Sequence, residues 1–238
     1  MGNILTIAGR EIKAYFFSPL AYILTGVFAF FLGYLFASST LTSQQADMSG
    51  TFSWLMVLSL ILTPALAMRL FAEENRMGTI ELLMTAPVRD WQIVIGKYIA
   101  GLLAFVMLLI PTLWYLVILW RYGSPDWGSI LAGYVGVLLA GAAFIGIGMF
   151  TSSLTGNQII AYFVGFLALI FMWFSNALAG IAGGGNFVLD FLGYLSLPTH
   201  FQDFFTGVID SGHAVFFISL AAIAVFLTVR VVESRRWR

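Results

Sequence analysis

Six long apolar runs, almost free of charge, limit what this chain can fold into. They cover approximately residues 20–37, 51–71, 93–120, 128–150, 158–175 and 213–232. A helix needs roughly 20 residues to cross the hydrocarbon core of a bilayer. Only 9% of the chain is charged, whereas a soluble domain carries about 25% charge. The pattern predicts an all-α membrane protein with six transmembrane helices, built as a single domain over residues 1–238.

The basic residues predict the orientation of these spans. Of the 11 Lys and Arg residues, all except Arg121 lie before the first span, in or beside the loop between the second and third spans, or after the sixth. Cytoplasmic loops are enriched in Lys and Arg, and translocated loops are depleted of them. We therefore expect both chain ends in the cytoplasm.

Several kinds of site are excluded by the sequence. It has no Cys, no H-E-x-x-H or G-x-S-x-G motif, and no G-x-x-x-x-G-K-[ST] phosphate loop. The net charge is zero, so nothing indicates nucleic-acid binding. The spans hold almost no ionisable residue between their ends, which argues against proton or sodium coupling. The two histidines, His200 and His213, are expected at the interface with neither a catalytic nor a metal-binding role.

The loop at residues 72–90 is the most charged segment and predicts a short cytoplasmic helix. Glu73 and Glu74 suit the positive end of a helix dipole. Residues 79–84 form a good helical run, and Pro87 prevents its continuation because proline lacks an amide hydrogen. Such an amphipathic helix can dock in a partner's groove. The alternative is a solvated connector that only reverses the chain.

The same loop carries a motif. From Glu73 to Val88 the sequence reads E-E-N-R-M-G-T-I-E-L-L-M-T-A-P-V, and Gly96-Lys97 follows. It resembles the E-x-x-x-G-T-[LI]-E-x-L-L-x-[ST]-x-P signature of type-2 ABC exporter permeases, the ABC-2 family. The gliding-motility-associated permeases are the most similar subgroup. That similarity extends to Glu11, Phe17-Ser18-Pro19, the S-S-L-T-x-N-Q motif at 152–158 and the G-V-I-D-S stretch at 207–211.

This resemblance implies a permease subunit in a bacterial cytoplasmic (inner) membrane that is not itself an enzyme. Two permeases, as a homodimer or a related heterodimer, would pair with two cytoplasmic ATPase subunits. ATP and Mg²⁺ would be bound by the ATPase, and no cofactor by this chain. Residues 1–18 would form an interfacial helix, or alternatively a simple basic anchor. The implied ATPase-coupling residues are Glu73, Glu74, Arg76, Gly78, Thr79, Glu81, Leu82, Leu83, Thr85 and Pro87.

Small residues line the fourth span. Ala132, Gly136 and Ala140 recur at intervals of four residues, and Gly133 and Gly141 share this spacing. Small residues allow helix backbones to approach closely in lipid. The face is expected to pack against other helices and to shift during transport; the alternative is ordinary packing within one subunit. Pro64 and Pro111 are expected to kink the second and third spans.

The segment at residues 176–212 is glycine-rich and semi-apolar. It predicts two short re-entrant helices at the outer leaflet, which would form an outer gate or meet an extracytoplasmic partner. Alternatively they only fill the outer face of a dimer. The leading function is the permease of an ATP-driven exporter. The competing functions are a non-transporting membrane anchor that transmits ATPase work to outer components, and a passive channel.

Overall fold

The computed structural model describes residues 2–43, 47–79, 88–181 and 187–235. These residues form α-helices and one short 3₁₀ turn, Ile110–Thr112, with no strand among them. The α-helices are α1 (Gly2–Phe16), α2 (Pro19–Ser43), α3 (Ser49–Ala67), α4 (Arg69–Met77), α5 (Asp90–Leu109), α6 (Leu113–Tyr122), α7 (Trp127–Leu154), α8 (Gln158–Ile181), α9 (Phe187–Tyr194), α10 (Leu197–Phe205) and α11 (Ser211–Arg235).

The six-span prediction is confirmed. Within the described ranges, six helical segments are long and apolar enough to cross a membrane: Ala21–Thr42, Ser49–Met77, Asp90–Tyr122, Trp127–Leu154, Gln158–Gly180 and Ser211–Ser234. With six crossings, α1 and the end of α11 lie at the same end of the bundle. We call it the basic end, because Arg10, Arg69 and Lys97 lie there. The placement of that end in the cytoplasm remains a prediction.

The helices of the first and fifth spans continue well past the apolar runs that predicted them. The first helix continues to Ser43 instead of ending near residue 37. Its polar residues stay helical because their hydroxyls donate back to the helix, Ser39 to the Phe36 carbonyl at 3.0 Å and Thr42 to the Ser38 carbonyl at 2.8 Å. The fifth span runs to Ile181, so the outer segment begins about six residues later than expected.

The second and third spans are interrupted after or at a proline, as expected. Pro64 lies inside α3, which ends at Ala67, and α4 begins immediately after Met68. The Met68 amide donates to the Pro64 carbonyl at 2.8 Å. Pro111 lies in the 3₁₀ turn between α5 and α6. Proline lacks the amide hydrogen that a continuous α-helix needs, which explains the turn at Pro111. The break at Met68 coincides with bonds from the Ser152 hydroxyl to the Met68 carbonyl and from the Phe71 and Ala72 amides to that hydroxyl.

Helix α7 is the centre of the bundle, and aromatic rings of the same chain fill the space beside its small residues. At three of its glycines, an added Cβ atom would lie within 2.7 Å of a phenylalanine side-chain atom, which is closer than real Cβ contacts. The pairs are Gly133 with Phe52 of α3, Gly136 with Phe204 of α10, and Gly141 with Phe105 of α5. Ala132 and Ala140 are buried on the same helix. The structure therefore uses these positions for packing within the chain; a shift during transport remains a prediction.

Two short helices, α9 and α10, separate the fifth and sixth spans, as predicted. Helix α10 is buried through Leu197, Phe201 and Phe204. Helix α9 buries no residue and exposes Phe187 and Phe191. Their re-entrant character remains a prediction. The triple glycine of the sequence falls in residues 182–186, outside the described part.

Candidate coupling site at the basic end

Charged residues of α1, α4 and α5 meet at the basic end. The Lys97 Nζ atom of α5 lies 2.9 Å from Glu11 Oε1 of α1 and 2.9 Å from Glu74 Oε1 of α4. Arg10 Nη2 approaches the same two carboxylate oxygens, at 3.2 Å and 3.3 Å. We call these four residues the Lys97 cluster. Its two cations and two carboxylates balance each other and join three helices.

Lys97 is the buried member of this cluster. Its side chain is only 1% exposed, whereas the Glu11 and Glu74 side chains are 15% and 12% exposed. An ionised side chain is stable in such a place only when it is paired and hydrogen-bonded. The preceding residue allows the arrangement: a Cβ atom at Gly96 would lie 2.9 Å from Ile7 Cγ2 and 3.1 Å from the Ile4 carbonyl oxygen. Gly96 therefore lets α1 lie directly on α5.

Helix α1 also contacts the interruption in the second span. The buried Tyr15 hydroxyl donates to the Leu66 carbonyl of α3 at 2.6 Å. Burial, with the nearby Glu11 carboxylate, raises the pKa of the Tyr15 phenol, so the group remains a donor. Arg69, the first residue of α4, donates to Ser18 Oγ between α1 and α2 and to Glu73 Oε2 at 3.0 Å. The start of α4 is thus fixed against α1.

Ser152 of α7 caps the first turn of α4. Its hydroxyl oxygen accepts hydrogen bonds from the amides of Phe71 at 3.1 Å and Ala72 at 3.0 Å. The same hydroxyl donates a hydrogen bond to the Met68 carbonyl at 2.7 Å. The first amides of a helix have no partner within the helix and need an outside acceptor. No side chain of Met68, the residue before α4, supplies one. A serine 80 or more residues away along the chain takes that role.

The rest of the S-S-L-T-x-N-Q motif holds the far end of α4. The Asn75 side-chain amide donates to the Thr155 carbonyl at 3.1 Å. Gly156 lies against the same turn, since a Cβ atom there would be 3.6 Å from the Arg76 backbone nitrogen. The two motifs that the sequence analysis singled out therefore meet at α4.

The structure corrects the start of the helix predicted in the loop after the second span. Apart from Thr79, the helical run predicted at residues 79–84 lies outside the described residues. Glu73 and Glu74 do not begin a helix; they lie in α4, which starts at Arg69 because Ser152 caps it there. Helix α4 ends at Gly78, whose φ of +70° is left-handed and whose amide donates to the Glu74 carbonyl. Glycine adopts this conformation without steric cost. A continuous helix through Glu73 and Thr85 is therefore excluded.

The structure describes five of the ten predicted coupling residues. Glu73, Glu74 and Arg76 belong to α4, and Gly78 and Thr79 form its terminal turn. The others lie outside the described residues: Glu81, Leu82, Leu83, Thr85 and Pro87. Their proposed contact with an ATPase remains a prediction.

Sequence reasoning missed Lys97 and Ser152 as contact residues. Lys97 was noted only as part of a Gly-Lys motif, although a lysine within an apolar run needs a carboxylate partner. That requirement was a usable signal, although the sequence alone does not select Glu11 and Glu74 from the other carboxylates near Lys97, such as Glu73 and Asp90. For Ser152 no local signal exists, since the groups that it binds belong to a different span.

Loss of the Ser152 hydroxyl is expected to weaken α4. Ser152→Ala removes the outside cap, and a lost helix cap costs about 1–2 kcal/mol. We expect a lower thermal unfolding midpoint in detergent. Ser175→Ala is the matched control, because buried Ser175 bonds only to the Met172 carbonyl of its own helix among the described contacts. Equal midpoints for the two variants would contradict the capping role.

Six membrane-crossing helices and a charged site beside the loop after the second span define a membrane-embedded permease. The comparison with known families agrees: the profile of the family described as ABC-2 family transporter protein matches residues 61–233. The chain belongs to this family and is a multi-pass membrane protein of the kind found in the bacterial inner membrane. A particular likeness to gliding-motility permeases remains a prediction.

Curated relatives agree with this class. The chain is similar to the probable multidrug ABC transporter permease YbhR of Escherichia coli K12, with 32% identity over 87 residues. The same-named protein of Escherichia coli O157:H7 matches to the same extent. The aligned part is 37% of this chain and 23% of each relative. The chain therefore covers less than a quarter of the length of the relatives that it matches.

Proposed function

We propose that this chain is the transmembrane subunit of an ATP-driven exporter. It forms the translocation pathway as a dimer and is coupled to a separate cytoplasmic ATPase, which binds ATP and Mg²⁺. The observation that carries the proposal is the convergence on α4. This helix leads directly into residues 80–87, and α1, α5 and the S-S-L-T-x-N-Q motif all hold it.

The contacts of α4 provide a route for mechanical work. A force on residues 80–87 reaches α4 first. From α4 it passes through Ser152 to α7 and through the Lys97 cluster to α1 and α5. One acceptor of α4 is poorly satisfied: Glu74 Oε2 is buried and makes no hydrogen bond among the described residues. An unpaired buried acceptor is costly, so this oxygen is a local weak point in the attachment of α4.

An apolar groove between the second and fifth spans supports an apolar or amphiphilic substrate. It is lined by Val57, Leu60, Ile61, Phe166, Ile170, Trp173 and Phe174. A neighbouring cavity continues toward α10 and adds the polar Ser53 and Gln202. Most ligand sites combine apolar walls with a few polar groups. The relative's name, a probable multidrug permease, agrees with such a substrate class.

The proposal predicts that the turn after α4 is needed to bind the ATPase. We expect Gly78→Val and Glu81→Ala to weaken co-purification of the ATPase at least about tenfold, a loss of about 1.4 kcal/mol, without loss of membrane insertion. Valine is strained at the positive φ of Gly78, whereas Gly78→Asn should retain binding because asparagine tolerates that conformation. Normal co-purification of both Gly78→Val and Glu81→Ala would overturn the assignment.

Glu233→Gln is the matched control. Glu233 is a carboxylate at the basic end that pairs locally with Arg230 at 2.9 Å, so the ATPase should co-purify normally with the Glu233→Gln variant. Vesicles containing the whole complex then separate the exporter from a non-transporting anchor. ATP hydrolysis without any translocated apolar dye would favour the anchor.

A further inference from the structure

Three side chains with metal-binding atoms come together at the end of the bundle opposite the basic end. Asp203 lies near the end of α10, Asp210 precedes α11, and His213 is in the first turn of α11. One ligand atom of each residue lies within 4.8 Å of the other two. His213 Nε2 and Asp203 Oδ2 are already 2.8 Å apart. The sequence analysis assigned no metal ligand here because the histidine spacing follows no helical ligand pattern.

The backbone fixes this arrangement. Gly207, with a φ of +88°, reverses the chain between α10 and α11. The Val208 amide donates to the Asp203 carbonyl at 3.0 Å. Asp210 Oδ1 accepts from the Gly212 amide at 2.6 Å and so begins α11. The two carboxylates and the imidazole are therefore brought together by the turn itself.

A second histidine lies beside this group. His200 is 5% exposed, its ring stacks on Phe216 at 3.8 Å, and its centroid is 5.0 Å from that of His213. Its Nδ1 atom is 2.9 Å from the Ser196 carbonyl, so this nitrogen carries the proton and Nε2 keeps a lone pair. Among the described contacts, Nε2 has no hydrogen-bond partner.

The surrounding charge favours a bound cation. Residues 122–229 contain no Lys or Arg. The carboxylates of Asp203 and Asp210 therefore have no cationic side chain from this half of the chain to balance them, other than a protonated histidine. This differs from the basic end, where two cations balance two carboxylates.

We propose that Asp203, Asp210 and His213 bind a divalent transition-metal ion of the Zn²⁺ type, with the His200 ring beside the site. Zn²⁺ takes histidine nitrogen and carboxylate oxygen at about 2.0–2.2 Å, usually in a tetrahedron. The side chains of Asp203 and Asp210 are exposed enough to rotate inward onto such an ion. The bound ion joins α10 to α11 and holds Phe204 against Gly136 of α7. This site is independent of the proposed transport function.

The test is Zn²⁺ binding to the full-length chain in nanodiscs, purified with a tag that contains no histidine and stripped with a chelator. We expect calorimetry to give one site, and Co²⁺ to give the visible absorption of a tetrahedral nitrogen and oxygen site. Asp210→Asn and His213→Gln should each weaken Zn²⁺ binding at least about tenfold. Asp190→Asn, an acidic residue of α9 outside the group, should bind as the wild type does.

Asp210→Asn is the decisive variant, because its remaining carbonyl can still accept from the Gly212 amide and preserve the start of α11. Its thermal midpoint without metal should equal that of the wild type, while the midpoint increase that Zn²⁺ produces should be lost. Unchanged affinity in both Asp210→Asn and His213→Gln would overturn the proposal. So would the absence of wild-type binding at Zn²⁺ concentrations on the order of 1 mM.

Discussion

Replacing Lys97 with methionine is expected to destabilise the basic end of the bundle by about 3–5 kcal/mol, the usual cost of removing one partner from a buried ion pair. Methionine keeps most of the length and none of the charge. Glu11 and Glu74 then lose their shared ammonium group and retain only Arg10. We expect a lower thermal midpoint in detergent and loss of ATPase stimulation in the reconstituted complex.

Two controls distinguish this result from a general effect of lost charge. Lys13→Met removes an exposed lysine of α1 and should leave the midpoint unchanged. Combining Lys97→Met with Glu11→Gln and Glu74→Gln should restore much of the stability, because removing all the buried charges also removes their desolvation cost. If Lys97→Met unfolds at the same temperature as Lys13→Met, the Lys97 cluster does not hold the three helices together.

Replacing Gly141 with alanine is expected to disrupt the centre of the bundle. The new Cβ atom would lie 2.0 Å from Phe105 Cε1, so the ring or the two helices must move apart. Overpacking a well-packed core costs about 1–3 kcal/mol. Because the Phe105 ring is rigid and fully buried, we expect the cost of Gly141→Ala near the upper end of that range. We expect a reduced yield of folded protein and a lower thermal midpoint.

A glycine in a different span is the control for this variant. Gly26 of α2 has no atom within 4 Å of an added Cβ, so Gly26→Ala should be neutral or slightly stabilising. Adding Phe105→Leu to Gly141→Ala should recover part of the loss, because the smaller side chain makes room for the methyl group. A Gly141→Ala protein as stable as Gly26→Ala would show that α5 and α7 separate without cost.

The sequence predicts the spans well because lipid requires long apolar segments. It predicts their ends less well. Ser39 and Thr42 look like a polar loop, yet their hydroxyls bond to carbonyls of their own helix and let α2 continue. The first turn predicted at Glu73 and Glu74 was wrong for a related reason: these residues resemble a first turn, but the cap that sets the real first turn of α4 is Ser152, from another span.

The candidate coupling site was predictable in part. The loop motif drew attention to the end of the second span, and Glu73, Glu74 and Arg76 all lie in α4 there. The partnership of Lys97 with Glu11 joins residues 86 positions apart, and only the packing of α1 on Gly96 brings them together. The small residues on α7 were expected either to shift during transport or only to pack within one subunit. In this chain Phe52, Phe105 and Phe204 pack against the glycines, and a shift stays a prediction.

The cap that Ser152 provides has a consequence for biosynthesis. Spans are made in order from the N-terminus, so α3 and α4 leave the ribosome well before Ser152 is translated. Until the fourth span has been inserted, the first amides of α4 lack their acceptor. The segment that leads into residues 80–87 therefore acquires its final shape only after most of the chain is in the membrane. A partner that recognises this shape would bind completed subunits and ignore unfinished ones.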